Sequence, residues 1–242
     1  MNLHTLSGIN FTSICWTKLG VCEYISHTQL NREVLGKNFH TRLMTSSLGD
    51  TCQMRVLGVV GSPRKNGNTE TLVDEVLRGA KDAGATVEKI FLNDLDIKPC
   101  QSTCNEYCMA TGNCRIGDDM SSLYDKLYNS DAVVLGTPVY WWGPSAQMKA
   151  FIDRWYAFSH PNFVKRVEGK KLVSVTPFEE SDISAADPLV AMINKCEAYL
   201  KLESSGKLLV TAGEKSAVTR NVKAMNEAYN TGARLKSPKH RA

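Results

Sequence analysis

From Met54 onward, short β-branched and aliphatic runs alternate five times with stretches of helical period, and that alternation leaves few folds open. Arg55–Val60 (RVLGVV) ends at Gly61 and reads as a buried strand. Asn68–Ala83 then sets Leu72, Val73, Val76, Leu77 and Ala80 on one helical face, and Gly84 closes it. Thr86–Leu92 is a second strand, Ser121–Tyr128 a helix, and Ala132–Gly136 (AVVLG) a third strand, apolar throughout. Pro144–Phe158 reads as a helix with its proline near the first turn, where a missing N–H does no harm. Lys171–Thr176 is the fourth strand, Pro188–Leu202 a helix, Lys207–Thr211 the fifth strand and Glu214–Ala233 the last helix. Near-continuous apolar strands separated by helices predict an α/β fold with a parallel sheet covered on both faces. Five strands predict a doubly wound, three-layer αβα arrangement in the order 2-1-3-4-5. Ligands then bind at the carboxyl ends of the strands, in the loops after strands one, three and four.

Residues 1–53 show neither period. They are rich in Ser, Thr and Asn and hold only Glu23, Glu33 and Asp50 as acids. A targeting extension would be acid-poor and Ser-rich in this way; an over-long start, with the domain beginning at Met54, is the competing reading. Few arginines (Arg32, Arg42) and no long apolar segment favour a disordered or mis-assigned extension, leaving 54–242 as the domain. With 43% apolar and 22% charged residues, the chain can fill one core. A net charge of +4 without a block of cations argues against nucleic-acid binding. No apolar run approaches the roughly 18–20 residues that span a bilayer.

The loop after strand one, GSPRKNGNT (Gly61–Thr69), opens a helix, where free N–H groups and the helix dipole favour an anion. It lacks the Lys of the Walker pattern, because Asn68 follows Gly67, and Gly58 and Gly61 are wrongly spaced for a dinucleotide fingerprint. A single terminal phosphate on Ser62, Arg64, Asn68, Thr69 and backbone amides fits better. An ordinary Gly/Pro turn with Asn68 as N-cap is the plainer alternative. After strand three, GTPVYWWGP (Gly136–Pro144) is a stiff turn carrying three successive aromatic residues. A flat aromatic ligand would rest there, its polar edge meeting the N–H groups of 138–141; core packing or a subunit contact is the alternative.

GSPRKNGNT, GTPVYWWGPSAQMKAFIDRW and the intervening CxxxCxxxC…GxCxxxDDM together resemble the NADPH-dependent FMN reductases, and within them the iron–sulfur flavoprotein branch. The resemblance implies a flavodoxin-like fold and FMN, with its phosphate on Ser62, Arg64, Asn68 and Thr69. It implies an isoalloxazine lying along Thr137, Pro138, Val139, Tyr140 and Trp141, closed from the other side by Thr176-Pro177-Phe178-Glu179. Asp153 and Arg154 are expected to hold helix and loop together, not to touch substrate.

Of eight cysteines, Cys100, Cys104, Cys108 and Cys114 fall within the Cys-rich insertion 97–120. Clustered thiols in a chain with no clear secretory signal point to a reducing compartment and to metal or redox use. A 4Fe-4S cluster needs thiolates at short spacing in an irregular loop. The spacing here is C-x3-C-x3-C-x5-C, whereas the branch pattern is C-x2-C-x2-C and a longer gap. If 100–108 were helical, the first and third sulfurs would lie too far apart to cap one cube. A cluster, zinc, and a Cys-bearing lid helix at a dimer interface with reduced thiols therefore all stay open. Cys196, inside an apparent helix, is expected in the core.

These features predict an FMN-dependent NAD(P)H oxidoreductase passing electrons from a nicotinamide cofactor to a quinone-like or other acceptor, with or without a cluster. No side chain is needed as acid or base, since the chemistry belongs to the cofactor. The alternative is an electron-transfer module without its own NAD(P)H activity. No Ser-His-Asp or paired-carboxylate arrangement supports a hydrolase, and His160 and His240 are isolated. A cytoplasmic homodimer, or a higher homo-oligomer, is expected.

Overall fold

β1 (Arg55–Val60), β2 (Thr86–Phe91), β3 (Ala132–Gly136), β4 (Lys171–Phe178) and β5 (Glu203–Thr211) pair in parallel in the order β2-β1-β3-β4-β5. This computed structural model describes residues 53–103 and 105–236. The expected extension (apart from Gln53), Cys104 and the last residues, His240 among them, lie outside the described residues. The doubly wound, flavodoxin-like order is the one the alternation predicts. No described helix is long and apolar enough to cross a membrane.

Period two on each strand divides the core between the two faces of the sheet. On β1, Leu57 and Val59 join one cluster while Val56 and Val60 join the other; on β3, Val133 and Leu135 oppose Ala132 and Val134 in the same way. The first cluster is capped by α3 (Met120–Asn129), α4 (Ala146–Asp153), α5 (Pro161–Val167) and α6 (Asp187–Leu200). The second is capped by α1 (Asn68–Asp82) and α7 (Val222–Ala233). Leu72, Val73, Val76 and Leu77 of α1 are at most 5% exposed, which stabilises the fold by roughly 1.5–3 kcal/mol per side chain. α1 and α7 touch backbone to backbone: a Cβ on Gly79 would run into the Tyr229 carbonyl, and one on Gly232 into the Val76 carbonyl.

Several expected boundaries shift for identifiable reasons. Pro144 precedes the α4 N-cap: Ser145 caps by accepting from the Met148 N–H at 3.2 Å, and the helix tightens to a 3-10 turn over Arg154–Phe158. β4 runs two residues past Thr176 because Pro177, which has no N–H to give, still offers its carbonyl to Val139 N at 3.2 Å. β5 begins four residues before Lys207: ESSG pairs with β4 across a register shift at Leu172/Val173, and an edge strand tolerates such polar residues. Residues 214–221 form a loop with a 3-10 turn at Ala217–Arg220, not a helical start; Asn221 caps α7. Of two short helices, α5 has no counterpart in the sequence reading, and α2 (Asn105–Thr111) falls where a helix stood only as one alternative for the Cys-rich segment. His160 caps α5, its Nδ1 accepting from Asn162 N at 3.2 Å, and is half-buried.

Candidate functional site

The carboxyl ends of β1, β3, β4 and β5 surround an open crevice of about 190 Å³. Its first wall is the loop from Gly61 to α1. Gly61 N donates to Gly136 O at 2.7 Å, and Ser145 Oγ donates to Gly61 O at 2.6 Å, so the loops after β1 and β3 are bonded to each other. Ser62, Arg64, Gly67, Asn68 and Thr69 all line the crevice. Gly67 is the N-cap of α1 and supplies no side-chain bond, which leaves the first amides of the helix open toward the cavity. Thr69 is only 2% exposed, yet its hydroxyl has no hydrogen-bond partner among the described residues.

Asn68 differs from both sequence readings. It is not the N-cap, and its side-chain amide is committed inside the protein. Asn68 Nδ2 donates to Ala212 O at 2.9 Å and to Glu214 O at 2.7 Å, while its Oδ1 accepts from Val218 N at 3.1 Å. Its side chain is therefore not left for a ligand at the helix start. The loop after β5 thus forms a wall of the crevice through Ala212, Gly213 and Lys215, which the sequence reading missed. The only sequence signal was the two turn-forming stretches, KNGN and AGEKS, whose mutual contact spans some 150 positions.

Pro138, Val139 and Tyr140 line the crevice from β3; Thr137 and Trp141 do not. Thr137 is 1% exposed, and its hydroxyl accepts from Ser145 N at 3.0 Å, so it fixes the turn from beneath. The amides expected to meet a ring edge are largely spent: Val139 N donates to Pro177 O at 3.2 Å and Tyr140 N to Gly143 O at 2.9 Å. Tyr140 and Gly143 close a two-residue turn whose central residues, Trp141 (φ 50) and Trp142 (φ 59), are both left-handed. Trp141 is 90% exposed and meets Trp142 edge-on at 5.6 Å. From β4, Pro177, Phe178 and Glu179 line the crevice together with Glu180; Thr176 is fully buried below them.

The Cys-rich segment is held by a buried ion pair. Arg154 Nη1 donates to Asp118 Oδ2 at 2.6 Å and to Lys98 O at 2.8 Å, and Nη2 to Asp118 Oδ1 at 3.1 Å. Arg154 therefore ties helix to loop as expected, whereas Asp153, among the described residues, pairs only with Lys149 on its own helix, at 2.6 Å. Cys108 lies on α2 at 5% exposure within the core, Cys114 packs against that core, and Cys100 precedes the helix. No three His, Cys, Asp or Glu side chains among the described residues group to hold a metal. As placed, Cys100, Cys108 and Cys114 do not fit a cluster or a zinc site, and Cys104 lies outside the described residues. Cys196 is half-buried against the core, and burial pushes its thiol up.

This crevice, with a helix N-terminus on one side and a prolyl-aromatic turn on the other, sits in a chain with close relatives by sequence. An iron-sulfur flavoprotein of Archaeoglobus fulgidus is 38% identical over 120 residues, 50% of this chain and 54% of that protein. An iron-sulfur flavoprotein of Methanocaldococcus jannaschii is 43% identical over 101 residues, 42% of this chain and 51% of that protein. The chain thus spans about half the length of the curated relatives it matches. Among solved structures, an NAD(P)H:quinone oxidoreductase from Methanothermobacter marburgensis shares the fold with a TM-score of 0.62 at 16% identity, covering 78% of this chain and 100% of that one. Residues 54–186, which carry the loops after β1 and β3 and the β4 wall, match the family model described as NADPH-dependent FMN reductase, and the chain belongs to that family.

Proposed function

We propose that the chain is an FMN-dependent NAD(P)H oxidoreductase that binds its flavin in the crevice above β1, β3, β4 and β5. The observation that carries this reading is the pairing, in one cavity, of an uncapped helix N-terminus with a ring-sized turn at Pro138–Tyr140. The residues present fit the cofactor. The open α1 amides and the unpartnered Thr69 hydroxyl suit a phosphate tail, with Ser62 and Arg64 beside them. Bound FMN supplies hydride acceptance from a nicotinamide and electron release to an acceptor.

The chain's own contribution is positioning. Arg64 and the α1 dipole hold the negative tail. Pro138, Val139 and Tyr140 offer a rigid flat wall, fixed by the Thr137–Ser145 bond beneath it. Pro177 and Phe178 close the cavity from β4 and keep water from one side of the ring. No cluster enters this reading, because the described thiols do not converge. The proposed setting is the cytoplasm, as a homodimer, with NAD(P)H and a quinone-like or other acceptor as small-molecule partners.

Exposed Trp141 and Trp142 at the cavity's rim favour one second reading, an electron-transfer module that docks a partner protein and lacks NAD(P)H activity. Anaerobic addition of NADPH to FMN-loaded protein separates the two. Bleaching of the flavin band is expected; a band that stays while dithionite bleaches it would leave the module. Arg64→Ala is expected to lower FMN retention roughly ten-fold or more, through loss of a charge-assisted contact.

A further inference from the structure

Two cations, Arg64 and Lys215, line the crevice, and neither has an ion-pair partner among the described residues. Their neighbours in sequence and space do: Lys65 pairs with Asp94 at 2.7 Å and Arg220 with Glu214 at 3.1 Å. The Lys215 peptide is pinned from both sides. Glu214 O accepts from Asn68 Nδ2 at 2.7 Å, and Ser216 Oγ donates to Asn66 O at 2.7 Å. Ser216 (φ 62) and Asn66 (φ 55) are each left-handed, so both loops are bent to meet at this point. The result sets a lysine beside the open N-terminus of α1, where Thr69, 2% exposed as a residue, lines the crevice with a hydroxyl that has no partner among the described residues.

We propose that Lys215 is a second cationic ligand for the phosphate of flavin mononucleotide, which makes the loop after β5 part of the cofactor site and Asn68 the strut that holds it there. The inference rests on the flavin reading above. A phosphate monoester carries about −1.5 to −2 charges at pH 7, up to about half a charge more than Arg64 and a helix terminus of about +0.5 offset between them. Lysine suits the remaining charge: it is a compact point charge on a flexible stem and asks for no fixed fork geometry.

The test compares FMN with riboflavin, which has the same ring and no phosphate, by flavin fluorescence quenching at fixed ionic strength on the full chain. Lys215→Met is expected to weaken FMN binding roughly ten- to a hundred-fold and leave riboflavin unchanged, and Lys215→Arg to restore most of the loss. FMN binding by Lys215→Met should also depend less steeply on salt than that of wild type. If the Met variant aggregates, Lys215→Gln is measured in the same way. A variant that keeps the wild-type ratio of FMN to riboflavin affinity overturns the role of Lys215 while the flavin reading stands. Wild type that binds neither flavin overturns both.

Discussion

Arg154 meets Asp118 through two nitrogens, at 2.6 and 3.1 Å, with neither side chain exposed. The pair is also a clasp. Asp118 accepts from Lys98 N at 3.0 Å and Met120 N at 3.1 Å, and Arg154 donates to Lys98 O, so both ends of the Cys-rich segment are fixed to one guanidinium. Tyr124 adds its hydroxyl to the Arg154 carbonyl at 2.8 Å.

Breaking this clasp from one side leaves a buried charge without its partner, a change that costs about 3–5 kcal/mol. Asp118→Asn and Arg154→Met are therefore both expected to lower the urea midpoint strongly at neutral pH. The pH dependence distinguishes a true pair from simple packing. Burial alone pushes the Asp118 carboxyl up, but the Arg154 hydrogen bond and the Lys98 and Met120 amides outweigh it and hold the group below the usual carboxylate range. A carboxyl lowered in the folded state contributes stability that is complete above its unfolded value near ~3.9 and is lost as pH falls through the folded value. The gap between wild type and Arg154→Met should be widest at neutral pH and narrow below about pH 4. A gap that stays constant from pH 7 to pH 3 would rule out the electrostatic account.

The contact of α1 with α7 gives a sharper stability test. A methyl at Gly232 or Gly79 meets a backbone carbonyl of the facing helix, which no rotamer change can relieve. Although Ala is the better helix former, Gly232→Ala is expected to cost about 3 kcal/mol or more, measured by urea denaturation. Gly84→Ala is the contrast: no atom lies near its would-be Cβ, but its φ of 93° keeps the cost to strain alone.

What could be read from the sequence follows the reach of each signal. The strands of the sheet centre announce themselves because both faces are buried, so β1 and β3 match their predicted bounds residue for residue. β5 loses its first four residues to prediction because an edge strand can be polar, and α2 is hidden by cysteines that read equally as ligands. At the site, Ser62, Arg64, Thr69, Pro138, Val139 and Tyr140 all line the crevice, since topology alone brings the ends of neighbouring strands together. Thr137 faces inward, Trp141 faces solvent and Asn68 serves as a strut, because side-chain direction depends on turn geometry and on bonds between distant segments. Lys215 was invisible for the same reason: nothing local marks the loop after β5 as a neighbour of α1.

Asn68 makes that distant contact testable. Three hydrogen bonds, each worth about 0.5–1.5 kcal/mol, converge on one amide group, and Val218 N would be left without an acceptor in a buried position. Asn68→Ala is expected to lower stability by about 2–3 kcal/mol and to speed hydrogen exchange at Val218 selectively. Exchange at Val218 that does not change would show that the loop after β5 is held by other means.

Trp141 and Trp142 occupy the two positions of a hairpin turn that ordinarily call for Asn and Gly, since both need positive φ. Left-handed backbone costs a bulky residue roughly 1–2 kcal/mol, and neither side chain recovers this by burial, at 90% and 53% exposure. The double variant Trp141→Asn, Trp142→Gly is expected to stabilise the protein by about 1–2 kcal/mol and raise its melting temperature. Strain that survives on an exposed rim beside a cofactor crevice argues that the indoles serve an encounter there, not the fold. The same variant should therefore transfer electrons from NADPH to an aromatic acceptor more slowly while holding FMN as tightly as wild type. A variant that gains stability without any loss of acceptor turnover would remove the functional argument, and one that gains no stability would remove the strain.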